Sequence, residues 1–206
     1  MPTIDPNSTT PQDLYKLLIG LVVPRPIAFV SSLSADGVPN LAPFSFFTVV
    51  SANPPVICFT PMRKGAAAGG ERKDTLANIE ATREFTVSIV SESFGEQMNL
   101  CSGEYPPEVN EFEVAGLTPL ASELVAPARV AESLATMECR LLKVVQVSDK
   151  PLGGSLVLGE VLRFHIADAL FQNFRIDPGV LQAIGRMGGP AYTRTNDLFE
   201  MQRPQV

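Results

Sequence analysis

The chain has 206 residues, 45% of them apolar and 18% charged, and a net charge of −6. This length and composition describe one folded domain over residues 1–206 rather than a disordered chain, and the acidic balance, with no basic cluster that suggests phosphate-backbone binding, argues against a nucleic-acid partner. The apolar run Leu17 to Val23, broken by Gly20 and stopped by Pro24, is too short to span a bilayer, so a soluble cytoplasmic protein with no membrane association and no secretory leader is expected.

The three cysteines, Cys58, Cys101 and Cys139, are far apart and show no C-x-x-C spacing, which reads as reduced thiols, with Cys58 and Cys139 in the core. His165 is the single histidine. It rules out a multi-histidine metal site and leaves at most one imidazole base.

Thr10-Pro11-Gln12-Asp13 opens a helix, with Thr10 as N-cap, Pro11 in the first helical position and Asp13 in the first turn. Leu14, Leu17, Leu18 and Leu21 follow on one apolar face, and Pro24 ends the helix. Three strands come next: Ile27 to Ser32, Leu41 to Val50 and Val56 to Thr60. Asp36-Gly37 and Asn53-Pro54-Pro55 supply the turns between them. Pro43 donates no hydrogen bond, so a break or bulge is expected there, leaving backbone polar groups free.

Residues 62–73 form a basic loop carrying Arg63, Lys64, Arg72 and Lys73 against Glu71, loosened by Gly65, Gly69 and Gly70. Asp74 is expected to cap a helix from Thr75 to Thr82, with Leu76 and Ile79 inward. A fourth strand follows at Phe85 to Val90. A helical stretch is expected at Glu92 to Leu100, with Phe94 and Met98 on one side, and a short helix near Glu111. Thr136 to Val147 reads as a long strand with Met137, Cys139, Leu141, Val145 and Val147 on one face. After a turn at 150–154, Leu156 to Ile166 pairs back. Its even positions form the cleaner apolar face, and its odd positions carry Val157, Gly159, Val161, Arg163 and His165. The fold class is therefore mainly β with helical additions, a barrel of six or seven largely antiparallel strands.

Nucleotide and hydrolase signatures are missing: no G-x-x-x-x-G-K-[ST], no G-x-G-x-x-G between a strand and a helix, no G-x-S-x-G. Two segments suit a ligand. The start of the helix at Lys73-Asp74-Thr75 offers amides, a hydroxyl and charge to an anion. Against this, Asp74 as a cap takes up amides and repels a phosphate, and a capped helix after a solvated loop is the commoner arrangement. The stretch Asn40-Leu41-Ala42-Pro43-Phe44-Ser45-Phe46-Phe47 suits a flat aromatic ligand reading backbone groups; equally, its phenylalanines are core and Pro43 marks an edge. His165 either pairs with a Glu or the backbone at the surface, or faces a cleft or a subunit contact.

Further motifs carry a resemblance: Pro24-Arg25-Pro26-Ile27-Ala28 with Val30-Ser31, the Asn40 to Phe47 stretch, Asn53-Pro54-Pro55, Lys73-Asp74-Thr75 with Asn78-Ile79, Gly159-Glu160-Val161 leading to His165, and Gly185-Arg186-Met187-Gly188-Gly189 with Tyr192 and Arg194. In this order they resemble the flavin reductase-like, FMN-binding split-barrel family, which includes flavoredoxins and the reductase components of two-component monooxygenases. The resemblance implies a split β-barrel and a homodimer with one FMN per subunit near the interface. It implies that Asn40, Leu41, Ala42, Pro43, Phe44, Ser45 and Phe46 lie along the isoalloxazine. Thr60, Lys73, Asp74 and Thr75 would meet the ribityl phosphate, and Arg186 would join the cofactor-binding residues. His165 would sit close to the flavin or its nicotinamide partner as the catalytic candidate. Two functions follow from it: an NAD(P)H-dependent flavin reductase, feeding a separate monooxygenase component, or a flavoredoxin-type carrier with tightly held FMN. The surfaces expected to need a second subunit are Asn99 to Pro107 and the odd face from Val157 to His165.

Overall fold

The computed structural model describes residues 1–65 and 70–205, so Gly69 of the basic loop lies outside the described residues. Helix α1 runs from Pro11 to Leu21, and the Thr10 side chain accepts from the Asp13 amide as its cap. The leucine stripe does not face the core: Leu17, Leu18 and Leu21 are 41, 56 and 78% exposed, and Ile19 is the buried residue. The helix instead turns Tyr15 and Ile19, one turn apart, toward the rest of the chain.

Strands β1 (Ala28–Leu33), β2 (Pro39–Phe44), β3 (Phe47–Ala52) and β4 (Pro55–Phe59) follow. Gly37, at a φ of 83°, makes the turn between β1 and β2 that a side chain would strain. Pro43 pairs in register with Phe29, and no bulge forms there. The reason is position: β2 is an edge strand, where a residue lacking an N–H can face the unpaired side. The chain breaks two residues later, at Ser45-Phe46, which divides the expected second strand into β2 and β3.

Helix α2 (Asp74–Thr82), strand β5 (Glu84–Ile89) and helix α3 (Gly95–Leu100), entered through a short 3-10 turn at Glu92–Phe94, come next. Helix α4 (Glu111–Ala115), the short strands β6 (Pro119–Leu120) and β7 (Arg129–Val130), and the long pair β8 (Ala135–Gln146) and β9 (Ser155–Ile166) complete the main body. Seven strands form one antiparallel sheet in the order β2-β1-β5-β8-β9-β4-β3. Its two ends, β2 and β3, are neighbours in the chain. A few residues reach only about 10 Å, so the sheet must curl until its ends meet. The result is a barrel split where Ser45-Phe46 crosses.

Two cores follow. Inside the barrel, Val30, Phe59, Phe85, Cys139 and Val157 are closed at one end by Leu76 and Ile79 of α2. Phe59 packs tilted against Phe44 and edge-on against Phe85, at ring separations of 5.1 and 5.6 Å. Outside it, Phe29 and Leu41 pack under Phe94, Met98, Phe112 and Val130. All three cysteines are free thiols and buried, Cys101 included.

Register shifts in the β8–β9 pair correct the expected faces. The pairing omits Leu162 of β9 and Leu142 of β8. Each extra residue turns the strand over. Val145 and Val147, expected beside Cys139, are therefore exposed, while Val144 packs against the barrel core. On β9 the odd positions Val157, Gly159 and Val161 point inward, the reverse of the expected assignment. Gly159 is required there, since a Cβ would lie 2.3 Å from the Phe85 ring. The odd face thus needs no second subunit.

The C-terminal part adds two small hairpins, β10 (Phe171–Gln172) with β11 (Arg175–Ile176) and β12 (Ile184–Arg186) with β13 (Tyr192–Arg194), and between them the single helical turn α5 (Pro178–Leu181). A bridge between Arg25 and Arg186 ties β12 to the end of α1. Among the described residues no helix is long and apolar enough to cross a membrane.

Candidate active site at the barrel split

The unpaired side of β2 is the floor of a groove. An edge strand leaves amides and carbonyls without strand partners, and here they border three adjoining hollows that share Pro43. One hollow runs from Ala42 and Phe44 to the start of α2 and the turn at 101–105. A second runs over Phe44, Ser45 and Phe46 to Thr60, Lys64 and Lys73. The third lies between Ser45, Tyr15, Arg186 and Tyr192. Of the residues expected to meet a ligand, Asn40, Ala42, Pro43, Phe44, Ser45, Phe46, Thr60, Lys73, Asp74, Thr75 and Arg186 line this groove.

Leu41 does not line it, and Asn40 and Thr75 are engaged with the protein as well. Leu41 is fully buried in the outer core. The Asn40 side-chain amide donates to Glu111 Oε1 at 2.9 Å, and its oxygen accepts from Thr75 Oγ1 at 2.6 Å. The Leu41 amide donates to Glu111 Oε2 at 3.0 Å. This buried network ties β2 to α4 and α2, so the polar atoms of Asn40 and the proton of Thr75 are spent on the wall of the groove. Burial pushes the Glu111 carboxyl above the ordinary Glu range, and Asp74 adds repulsion. The bonds from Leu41 and Asn40 pull the other way without cancelling it. A raised pKa means the folded state holds this proton better than the unfolded chain. The associated stability is full below about pH 4.3 and is lost as pH rises through the folded value. Glu111→Gln removes this titration. In urea unfolding between pH 4 and 7, wild type should gain on the variant as pH falls. Parallel curves would refute the assignment.

The anion corner is better formed than the sequence implies. Lys73, not Asp74, is the N-cap, because Lys73 is still extended at φ −73°, ψ 142°. No side chain caps α2. The amides of Asp74 and Thr75, which have no intrahelical acceptor, are therefore not consumed by an Asp74 cap, while that of Leu76 donates to the Lys73 carbonyl at 3.1 Å. Lys73 Nζ lies 3.6 Å from Glu104 Oε1, and Lys64 Nζ lies 3.5 Å from Glu71 Oε2. Both carboxylates are largely exposed, so both cations can exchange them for another anion at small cost. At the far end of the groove the Arg186 guanidinium lies 4.4 Å from the centre of the Tyr192 ring. Tyr192 is itself held by Asn99, which accepts from its hydroxyl at 3.0 Å.

His165 is not brought to this groove within one chain. It pairs across β8 with Thr136, which is followed along the sheet by Ser88, Phe29 and Pro43. Four strand spacings, about 19 Å along the sheet, separate the ends of that row. His165 Nε2 lies 2.5 Å from Glu138 Oε1. Glu138 is completely buried and accepts from the amides of Glu123, Leu124 and Val125 at 2.8, 2.6 and 3.2 Å.

A family model described as a flavin reductase like domain matches residues 20–183. The chain belongs to the flavin reductase-like family. An uncharacterized protein of Aquifex aeolicus is 42% identical over 189 residues, 91% of this chain and 93% of that protein. The crystal structure of nitrilotriacetate monooxygenase component B from Bacillus cereus is 40% identical, with a TM-score of 0.92 and 98% of each chain covered. That of 2-nitrobenzoate 2-nitroreductase from Pseudomonas fluorescens is 30% identical, with a TM-score of 0.87, covering 98% of this chain and 96% of that one.

In this flavin reductase-like chain, sequence reasoning missed Tyr15, Glu104 and Glu111 as groove residues. The i, i+4 spacing of Tyr15 and Ile19 was the available signal for the first. Glu104 and Glu111 reach the groove through contacts 31 and 71 residues away in sequence, to Lys73 and Asn40. No local pattern encodes such contacts.

Proposed function

We propose that the groove binds FMN, one per chain, and that the protein passes hydride from NAD(P)H to it. The observation that carries this reading is the outer edge of β2 from Ala42 to Ser45, which has no strand partner, leading to an uncapped helix start with two cations beside it. The donor set fits the group. Edge amides and carbonyls suit the polar rim of a flat ring system, and the apolar bodies of Pro43 and Phe46 suit its face. Lys64, Lys73 and the amides of Asp74 and Thr75 suit a phosphate dianion. When bound, the flavin supplies the hydride acceptor. The chain orients it, neutralises its phosphate and shields its ring from water.

We also propose a homodimer acting in the cytoplasm with a separate monooxygenase component as recipient of reduced flavin. The exposed stripe Leu17, Leu18 and Leu21 on α1, with Val22 just after it, supports a second subunit, as do Leu100 and Phe164. A role for His165 at a flavin then means the flavin of the second copy. The similarity to a protein named as the component B of a monooxygenase supports the recipient. The similarity to one named as a nitroreductase favours a second reading, in which FMN stays bound and reduces its acceptor directly, as in a flavoredoxin-type carrier.

Titration with FMN should quench flavin fluorescence and saturate at one per chain. Oxidation of NADH or NADPH should then be measured with and without excess free FMN. Turnover that rises with free FMN supports the reductase. Turnover indifferent to it supports the carrier. A chain that binds no FMN defeats both.

A further inference from the structure

Arg25 is the one buried cation among the described residues, 5% exposed. Its guanidinium meets neutral acceptors on every side. Nη1 donates to the carbonyls of Ile19 and Val22 at 2.5 and 3.1 Å, Nη2 to that of Met187 at 3.0 Å, and Nε to Ser45 Oγ at 3.3 Å. None of the ion pairs among the described residues includes it. Arginine does not lose its proton in proteins, so the charge stays and lacks an anion.

The bonds from Nη1 close the last carbonyls of α1, which is an ordinary helix-end contact. They do not account for Nε. That nitrogen reaches the break between β2 and β3, where the guanidinium also lies 6.0 Å from the centre of the Phe46 ring. Ser45 and Phe46 both line the groove. The uncompensated charge therefore stands one hydrogen bond behind the wall against which the flavin is proposed to lie.

We propose that Arg25 is a positioning residue that favours the reduced form of the bound flavin, acting through Ser45. The inference rests on the FMN reading above. Hydride transfer oxidises NAD(P)H to NAD(P)⁺ and adds one hydrogen and two electrons to a neutral ring system, which leaves that system with one negative charge. A fixed buried cation lowers the free energy of that product more than of the neutral ring, because attraction in a dry wall is poorly screened.

The test is a redox titration of bound FMN in wild type, Arg25→Gln, Arg25→Lys and Ser45→Ala, with thermal unfolding of each protein alongside. Arg25→Gln should lose about tenfold of the preference for reduced over oxidised flavin, ~30 mV for a two-electron couple. Arg25→Lys, which keeps the charge, should stay within about threefold of wild type while losing stability through its poorer helix-end contact. Ser45→Ala, which leaves that contact intact, should shift the potential in the same direction as Arg25→Gln. The Ser45 variant also decides the matter if Arg25→Gln does not fold. Potentials unchanged in both Arg25→Gln and Ser45→Ala, whatever happens to stability, would overturn the inference. A wild-type protein that retains no flavin is distinguishable at once, since there is nothing to titrate, and it removes the FMN reading itself.

Discussion

Glu138→Ala is expected to cost about 3–5 kcal/mol of folding stability, the range for removing one partner of a buried charged cluster. The Glu138 side chain is fully buried on β8, accepts from three consecutive amides and lies against His165 Nε2. Without it, those amides are left in the protein without acceptors, and each orphan costs about 1–3 kcal/mol unless water reaches it. The 123–125 segment has no strand pairing of its own to fall back on. It should peel from the sheet, which lowers the net loss below the sum of the orphans. Urea unfolding gives the total, and amide exchange at Glu123, Leu124 and Val125 gives the location. His165→Ala removes a single partner and should cost less, with a smaller rise in exchange at the same amides. A Glu138→Ala loss below about 1 kcal/mol with the amides still protected would sink this account.

Lys73→Ala should weaken FMN by about 10-fold to 100-fold, or ~1.4–2.7 kcal/mol, while riboflavin changes by less than about twofold. The upper figure assumes a bond to the phosphate in a partly dry corner. The Lys73 side chain is 33% exposed, so solvent screening favours the lower half of that range. Glu104 sharpens the test. In the free protein its carboxylate is the anion beside Lys73, and a bound phosphate must displace it. Glu104→Gln should therefore tighten FMN by a few-fold and leave riboflavin alone. Isothermal titration with both ligands and both variants reads all four numbers. Equal losses for FMN and riboflavin in Lys73→Ala would move the phosphate elsewhere.

Local chemistry was the legible part of this chain. Thr10 and Pro11 start α1 as their side chain and ring require, Asp36-Gly37 turns where a positive φ is needed, and Leu76 and Ile79 point inward. What failed was counting across an irregularity. Alternation along β8 and β9 predicts faces only while the register holds, and Leu142 and Leu162 each add one residue to one strand. The assignment was therefore inverted on one side of each bulge, after Leu142 on β8 and before Leu162 on β9. Asp74 was misplaced by one residue because Lys73 takes the extended cap conformation without using its side chain. The leucine stripe of α1 was legible as a stripe, but periodicity does not say which face meets the core and which is left exposed. The groove itself was half visible. Ala42 to Phe46 announced an unusual edge, while Glu111, which braces it, and Glu104, which guards it, arrive from α4 and a distant turn.

The order of strands also fixes a timetable for synthesis. β1 and β2 can pair as soon as both have left the ribosome, and β3 can pair with β4. The second neighbour of β4 is β9: Val56 meets Glu160, 160 − 56 = 104 residues later. At about 5–20 residues per second, that delay is roughly 5–20 s. Throughout it Val56, Ile57, Cys58 and Phe59, all buried in the finished barrel, present one bare strand edge. Nascent chains stopped before Ser155 should therefore aggregate or recruit holding chaperones, and those extended past Ile166 should not.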